Sequence, residues 1–162
     1  MSQQPDSGTA KKPLDVLVLA AGLGTRMKSR QAKVLHQLGG RPLIAHVCRT
    51  AESLNPRAIY VVIGHQAEKV KAAVESEFGN AQVKFVHQLE QRGTGDAVMA
   101  AQDALGKAHS TILILSGDVP MVRAETLRKI IQQHAATSAP CARFVANNVC
   151  RTRRTVPARS IA

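Results

Sequence analysis

The 162-residue sequence predicts an α/β fold, an open and mostly parallel sheet with helices on both faces. Three observations point there. Short apolar runs that end in glycine or in a polar turn read as buried parallel strands. Segments of about 12 residues with apolar side chains at helical spacing lie between them. The two alternate along the chain, which is how βαβ units cover both faces of a parallel sheet.

Residues 1–13, MSQQPDSGTAKKP, are polar and contain proline and glycine, the composition of a disordered leader. LDVLVLAAG then gives the first strand, followed by a glycine-rich and then basic segment, GLGTRMKSRQAK, expected as a loop. After Pro42 the residues Leu43, Ile44, Val47 and Leu54 recur at helical spacing, up to Asn55-Pro56, where a helix must stop. Ala58 to Gly64 predicts a second buried strand, Gln66 to Phe78 a helix with Val70 and Val74 on one face, and Val83 to Val86 a short third strand. GTGDAVMAAQDALG predicts one glycine-led helix, Ser110 to Leu115 a fourth strand ending in Ser-Gly-Asp-Val-Pro, and Arg123 to Ala136 a last helix. Beyond Pro140 the periodicity ends. Residues 137–162 are expected to be a basic tail outside the fold, either native or the out-of-frame end of a longer coding sequence.

Composition narrows the class further. The longest apolar run, Val16 to Ala21, is far shorter than the roughly 20 residues of a membrane span, and the N-terminus lacks a signal-type apolar region, so a cytoplasmic protein without membrane contact is expected. Cys48, Cys141 and Cys150 match neither a disulfide framework nor a zinc site. The net charge of +11 raises the question of nucleic acid, but five arginines between 141 and 162, with no acid among them, supply much of it. One tyrosine, three phenylalanines and no tryptophan also leave few platforms for stacking bases, which argues against a nucleic-acid partner. The oligomeric state stays open.

In an open parallel sheet, ligands sit beyond the carboxyl ends of the strands, so the turns there are the candidate site. The first is Ala20-Ala21-Gly22-Leu23-Gly24-Thr25-Arg26-Met27, whose small residues let the backbone approach a phosphate chain while Arg26 offers charge-assisted hydrogen bonds. The same residues also serve a plain βα turn. They form neither GxGxxG nor a P-loop with GK[ST].

The order of four motifs is more specific than any one of them. LAAGLGTRM, Lys33-Val34-Leu35-His36, Gln88 followed by Gly93-Thr94-Gly95, and Gly117-Asp118-Val119-Pro120 resemble the sugar-1-phosphate nucleotidyltransferases. Within them, the chain resembles the uridyltransferase domain of the bacterial bifunctional N-acetylglucosamine-1-phosphate uridyltransferase/glucosamine-1-phosphate acetyltransferases. The first motif there is LxAGxGTRM, matched by Leu19, Ala21, Gly22, Gly24, Thr25, Arg26 and Met27. The resemblance runs over residues 14–136.

It implies a Rossmann-like, incomplete nucleotide-diphospho-sugar transferase fold, with 14–136 as the nucleotide-binding part. It implies Mg2+-dependent transfer of UMP from UTP to N-acetylglucosamine 1-phosphate, giving pyrophosphate and UDP-N-acetylglucosamine for cell-wall (peptidoglycan) synthesis. Leu19, Ala20, Ala21 and Gly22 would then lie along the uracil and ribose, and Gly24, Thr25 and Arg26 along the triphosphate. Lys33 would neutralise phosphate charge, Gln88 and Gly93 would read the uracil edge with Thr94 beside them, and Asp118 would hold the metal. Arg26 and Lys33 are the implied catalytic residues. Ser116 departs from the tyrosine usual before Gly-Asp, and the family's acceptor-binding residues have no counterpart in the 162 residues, so little turnover is expected of this chain alone. Two alternatives remain: another acceptor, such as a molybdopterin cofactor or glucose 1-phosphate, and an inactive nucleotide-binding module.

Overall fold

The computed structural model describes residues 12–22, 29–78, 83–90, 92–106 and 110–137, together with the backbone of 141–145 and 149–153. The chain divides into two compact units, Met1–Pro120 and Met121–Ala162.

In Met1–Pro120, four strands form one all-parallel sheet: β1 (Leu14–Leu19), β4 (Ala58–Ile63), β5 (Val83–His87) and β6 (Thr111–Ser116), in the order β5-β4-β1-β6. Alternate side chains of each strand feed opposite faces. Val16, Val18, Ile59, Val61 and Ile63 pack beneath Ile44, Val47 and Cys48 of α1 (Leu43–Glu52) and Val70 and Val74 of α2 (Ala67–Phe78). Burial pushes the Cys48 thiol up to about 12, with Glu52 adding to it, so this cysteine is a packing residue. Leu17, Tyr60, Val62 and Val86 pack on the other face against Ala97, Ala101 and Leu105 of a helical stretch. Helices on both faces of a parallel sheet are the expected class. Among the described residues no helix is long and apolar enough to cross a membrane.

Several local expectations need correction. The stretch expected as one helix over 93–106 is two, α3 (Thr94–Ala100) and α4 (Gln102–Leu105), separated at the fully buried Ala101. The break tightens one turn yet keeps Ala97, Ala101 and Leu105 on the sheet, so burial is preserved where helix regularity is lost. Gly106 ends α4 at φ +66, a conformation that favours glycine. Between the loop and α1 lies a small hairpin, β2 (Gln37–Leu38) and β3 (Arg41–Pro42), turned by Gly39 and Gly40 at φ +58 and +80. Two positive φ angles in a two-residue loop are the demand of a tight hairpin turn, and Gly-Gly was its signal.

β6 is the fourth parallel strand as expected, and its side chains alternate between partly buried and exposed. It lies at the edge of the sheet among the described strands, and Ile112 and Ile114 are 44% and 46% exposed because the helices of that face lie over β1, β4 and β5.

In Met121–Ala162, α5 (Ala124–Thr137) lies beside an antiparallel hairpin of β7 (Cys141–Val145) and β8 (Val149–Arg153). The sequence reading expects a tail here. Phe144, Val145 and Val149 are strand-favouring residues, and they lie in these two paired strands. Residues 154–162 of the expected tail lie outside the described residues, as does most of the expected leader.

Candidate active site

The strand order places a switch point between β1 and β6. From β1 the chain moves outward through β4 to β5 and then returns to the far side of β1, so the connections on either side of β1 diverge. A crevice opens at the carboxyl ends of strands where connections diverge in this way.

Two turns flank it. After β1, the Ala20 amide donates to the Val62 carbonyl (2.9 Å) and the Ala21 carbonyl accepts from the His65 amide (3.4 Å). Ala20 and Ala21 are both buried, so of the expected small-residue trio Gly22 is the exposed member. After β6, the Gly117 amide donates to the Leu19 carbonyl (2.9 Å). A Cβ on Gly117 would stand 2.9 Å from Ile44 Cδ1, 3.0 Å from the Leu19 oxygen and 3.3 Å from Val34 Cγ1, so close packing requires glycine there. That contact seats Asp118 beside the end of β1.

Asp118 meets Lys33 directly at this switch point. Lys33 Nζ lies 2.6 Å from Asp118 Oδ2, and the Ser116 hydroxyl donates to Asp118 Oδ1 at 2.5 Å. Partial burial alone would raise the Asp118 carboxyl, but the Lys33 ammonium and the Ser116 hydroxyl outweigh it and hold it below the usual carboxylate range. Both side chains keep access to water, at 43% exposure for Lys33 and 24% for Asp118. The pair can therefore open without stranding a charge in the interior.

Lys33 begins a 3-10 turn, Lys33–Leu35, and the segment before it is clamped from another element. The Ala32 amide donates to Gln66 Oε1 (3.1 Å), and Gln66 Nε2 donates to the Arg30 carbonyl (2.5 Å). Gln66 itself sits at φ +55, a region that non-glycine residues rarely adopt. Sequence reasoning missed Gln66. Its one signal was a polar residue just after the turn that ends β4. Ser116 was noticed only as a departure from a family pattern, whereas in the fold it hydrogen-bonds Asp118.

At the neighbouring corner, Gln88 follows β5 with its amide donating to the Ile63 carbonyl (2.8 Å). Its side chain is buried and reaches Asp96 Oδ2 (2.7 Å) and the Gly93 carbonyl (3.4 Å). Gly93 precedes α3 at φ +126, which only glycine adopts readily, and Thr94 is the exposed first residue of that helix. Leu19 is partly buried and joins the site through its carbonyl. Gly24, Thr25 and Arg26 fall in Leu23–Lys28, outside the described residues. The structure thus brings Lys33 together with Asp118, and Gln88 together with Gly93. Among the described residues, no group of three or more His, Cys, Asp or Glu is placed to hold a metal ion.

Comparison with known proteins gives the family and the fold. The MobA-like NTP transferase domain matches residues 16–157, past the boundary at 136 expected from the sequence. The bifunctional protein GlmU of Solibacter usitatus is 50% identical over 125 residues, covering 76% of this chain and 26% of that protein. The chain spans about a quarter of the length of the curated relatives it matches. Among solved structures, Rv0371c of Mycobacterium tuberculosis H37Rv superposes with a TM-score of 0.62 at 25% identity, over 78% of this chain and 63% of that one. A UDP-glucose pyrophosphorylase complexed with UDP-glucose superposes with a TM-score of 0.65 at 15% identity, over 78% and 55%, a likeness of fold. The domain match over most of the sequence, on a parallel sheet whose switch point carries Lys33 and Asp118, shows that the chain belongs to the MobA-like NTP transferase domain family.

Proposed function

We propose that the carboxyl edge of the sheet binds UTP and that the chain supplies the nucleotide-binding part of a cytoplasmic uridyltransferase. The reaction is transfer of UMP from UTP to N-acetylglucosamine 1-phosphate. A phosphate oxygen of the sugar phosphate attacks the α-phosphorus in line, pyrophosphate leaves, and UDP-N-acetylglucosamine forms. The protein's task in such a displacement is to position reactants and spread negative charge.

The observation that carries this reading is the Lys33–Asp118 pair at the switch point. When a triphosphate enters, its oxygens replace Asp118 as the partner of Lys33, which then neutralises the phosphates. Asp118 is released to act as a cation ligand. A hard, oxygen-seeking ion such as Mg2+ suits it, because Mg2+ takes one or two carboxylates and completes its shell with water and phosphate. Bound there, the ion supplies charge neutralisation to the triphosphate and the departing pyrophosphate. Ser116 keeps the carboxylate turned toward the crevice through its hydrogen bond to Oδ1. Arg26, with Gly24 and Thr25, completes the phosphate contacts on the strength of the motif resemblance, and Gln88 with Gly93 and Thr94 meets the uracil. Half identity to a GlmU protein over these motifs supports the choice of uracil and of N-acetylglucosamine 1-phosphate.

The test is pyrophosphate release from UTP and N-acetylglucosamine 1-phosphate, with the purified 162-residue chain beside a full-length relative. The chain is expected to require UTP and Mg2+ and to run at less than about a tenth of the relative's rate, since misplacing an acceptor by about 1 Å costs on the order of a hundredfold. Release from ATP as readily as from UTP would overturn the reading.

A further inference from the structure

Gln88 is 6% exposed, and each end of its amide group has a defined environment. Nε2 points to Asp96 Oδ2 at 2.7 Å and to the Gly93 carbonyl at 3.4 Å. Both partners only accept hydrogen bonds, so the nitrogen and not the oxygen must face them. Turning the amide over would set its oxygen against a carboxylate and a carbonyl, two repelling contacts in a buried place. The Gln88 backbone amide is engaged by Ile63. What remains for a ligand is Oε1, to which no described residue donates. The corner by Gln88 therefore offers a nucleobase one acceptor in a fixed orientation, on a side chain that is otherwise held by its neighbours.

An acceptor selects for a donor. Uracil carries a ring N–H at N3, and guanine carries one at N1, whereas cytosine N3 and adenine N1 are themselves acceptors. Uracil and cytosine have nearly the same shape, so size does not separate them in a pocket. The orientation of one amide does: with Oε1 outward the site takes uracil, and with Nε2 outward it would take cytosine.

We infer that Asp96 is the specificity-determining positioning residue of this site, holding the Gln88 amide so that the pocket takes a base with a ring N–H on its pairing edge and rejects cytosine. The inference rests on reading the carboxyl edge as a nucleotide site. Asp96 touches Gln88 and not the base, so its effect is read as a ratio between two nucleotides.

The experiment is equilibrium binding of UTP and of CTP, each with Mg2+, to the 162-residue chain and its variants, with circular dichroism to verify folding. The wild type is expected to prefer UTP over CTP by on the order of tenfold or more. Asp96→Ala brings the two nucleotides to within about threefold of each other. Asp96→Lys, which presents donors to Gln88, erases the preference or inverts it. Asp96→Asn keeps most of it, because the asparagine oxygen still accepts from Nε2. A merely structural role would weaken both nucleotides equally and leave the ratio intact. An unchanged ratio in Asp96→Ala or Asp96→Lys overturns this inference alone. Failure of the wild type to bind UTP, or equal binding of UTP and ATP, overturns the nucleotide-site reading and this inference with it.

Discussion

Asp15 and Asp118 each face a basic side chain in Met1–Pro120, one near the start of β1 and the other just past the end of β6. At the amino end, the Asp15 carboxylate is fully buried and Arg57 grips both of its oxygens, Nε at 3.0 Å from Oδ1 and one terminal nitrogen on Oδ2. The Arg57 amide also donates to the Leu14 carbonyl (2.7 Å), which ties the entry of β4 to β1. At the carboxyl end, Lys33 meets Asp118 as a point charge and both partners reach water. A planar guanidinium matched to a carboxylate is a fixed joint, whereas an ammonium on a flexible stem is exchangeable. Similar charges thus fasten one end of the sheet and leave the other open to a ligand.

The contrast breaks most visibly at the closed pair. Arg57→Ala leaves the Asp15 carboxylate buried without a partner and is expected to lower the thermal midpoint by on the order of 10 °C. Pairing it with Asp15→Leu should restore most of the loss, because an apolar pair of similar volume removes the buried charge. If the double variant melts no higher than Arg57→Ala, Asp15 has some role other than the pair.

At the open end the backbone matters more than the charge. Gly117→Ala forces a methyl against the Leu19 carbonyl and Ile44, and costs about 1–3 kcal/mol of stability in chemical denaturation. A variant as stable as the parent would mean that the turn relaxes and Asp118 is not rigidly seated. Lys33→Ala is expected to change stability little and to weaken UTP binding by about tenfold while sparing uridine, since the contact is with phosphate. Equal losses for the two ligands would reduce Lys33 to a solvated charge.

The smallest effect concerns pH. Asp118 is held below the usual carboxylate range, so its pairing adds stability that is present above the unfolded carboxylate value and disappears as pH falls through the lowered folded value. Discounted for exposure, the contribution is under about 1 kcal/mol. Asp118→Asn should therefore melt slightly below the parent at pH 7 and together with it in strong acid. A gap that persists in acid would assign the loss to packing.

Periodicity showed the sheet and its helices because burial repeats along the sequence: Val16 and Val18 fill one face, Leu17 the other. It did not show the edge position of β6 or the break at Ala101, since both depend on what the fold places above those residues. The site divides in the same way. Asp118, Gly117 and Gln88 lie in short motifs and were legible there. That Lys33 reaches Asp118, that Gln66 clamps the segment leading to Lys33, and that Asp96 accepts a hydrogen bond from Gln88 are facts of tertiary contact, carried by residues whose neighbours in sequence are not their neighbours in space. Arg26 rests on its motif.

The measurement that bears most directly on the open end is a pair of calorimetric titrations of the 162-residue chain, with UTP and with ATP, both in Mg2+. A crevice that reads uracil through Gln88 and phosphate through Lys33 predicts UTP bound at least about tenfold more tightly than ATP. Equal affinity for the two would contradict it.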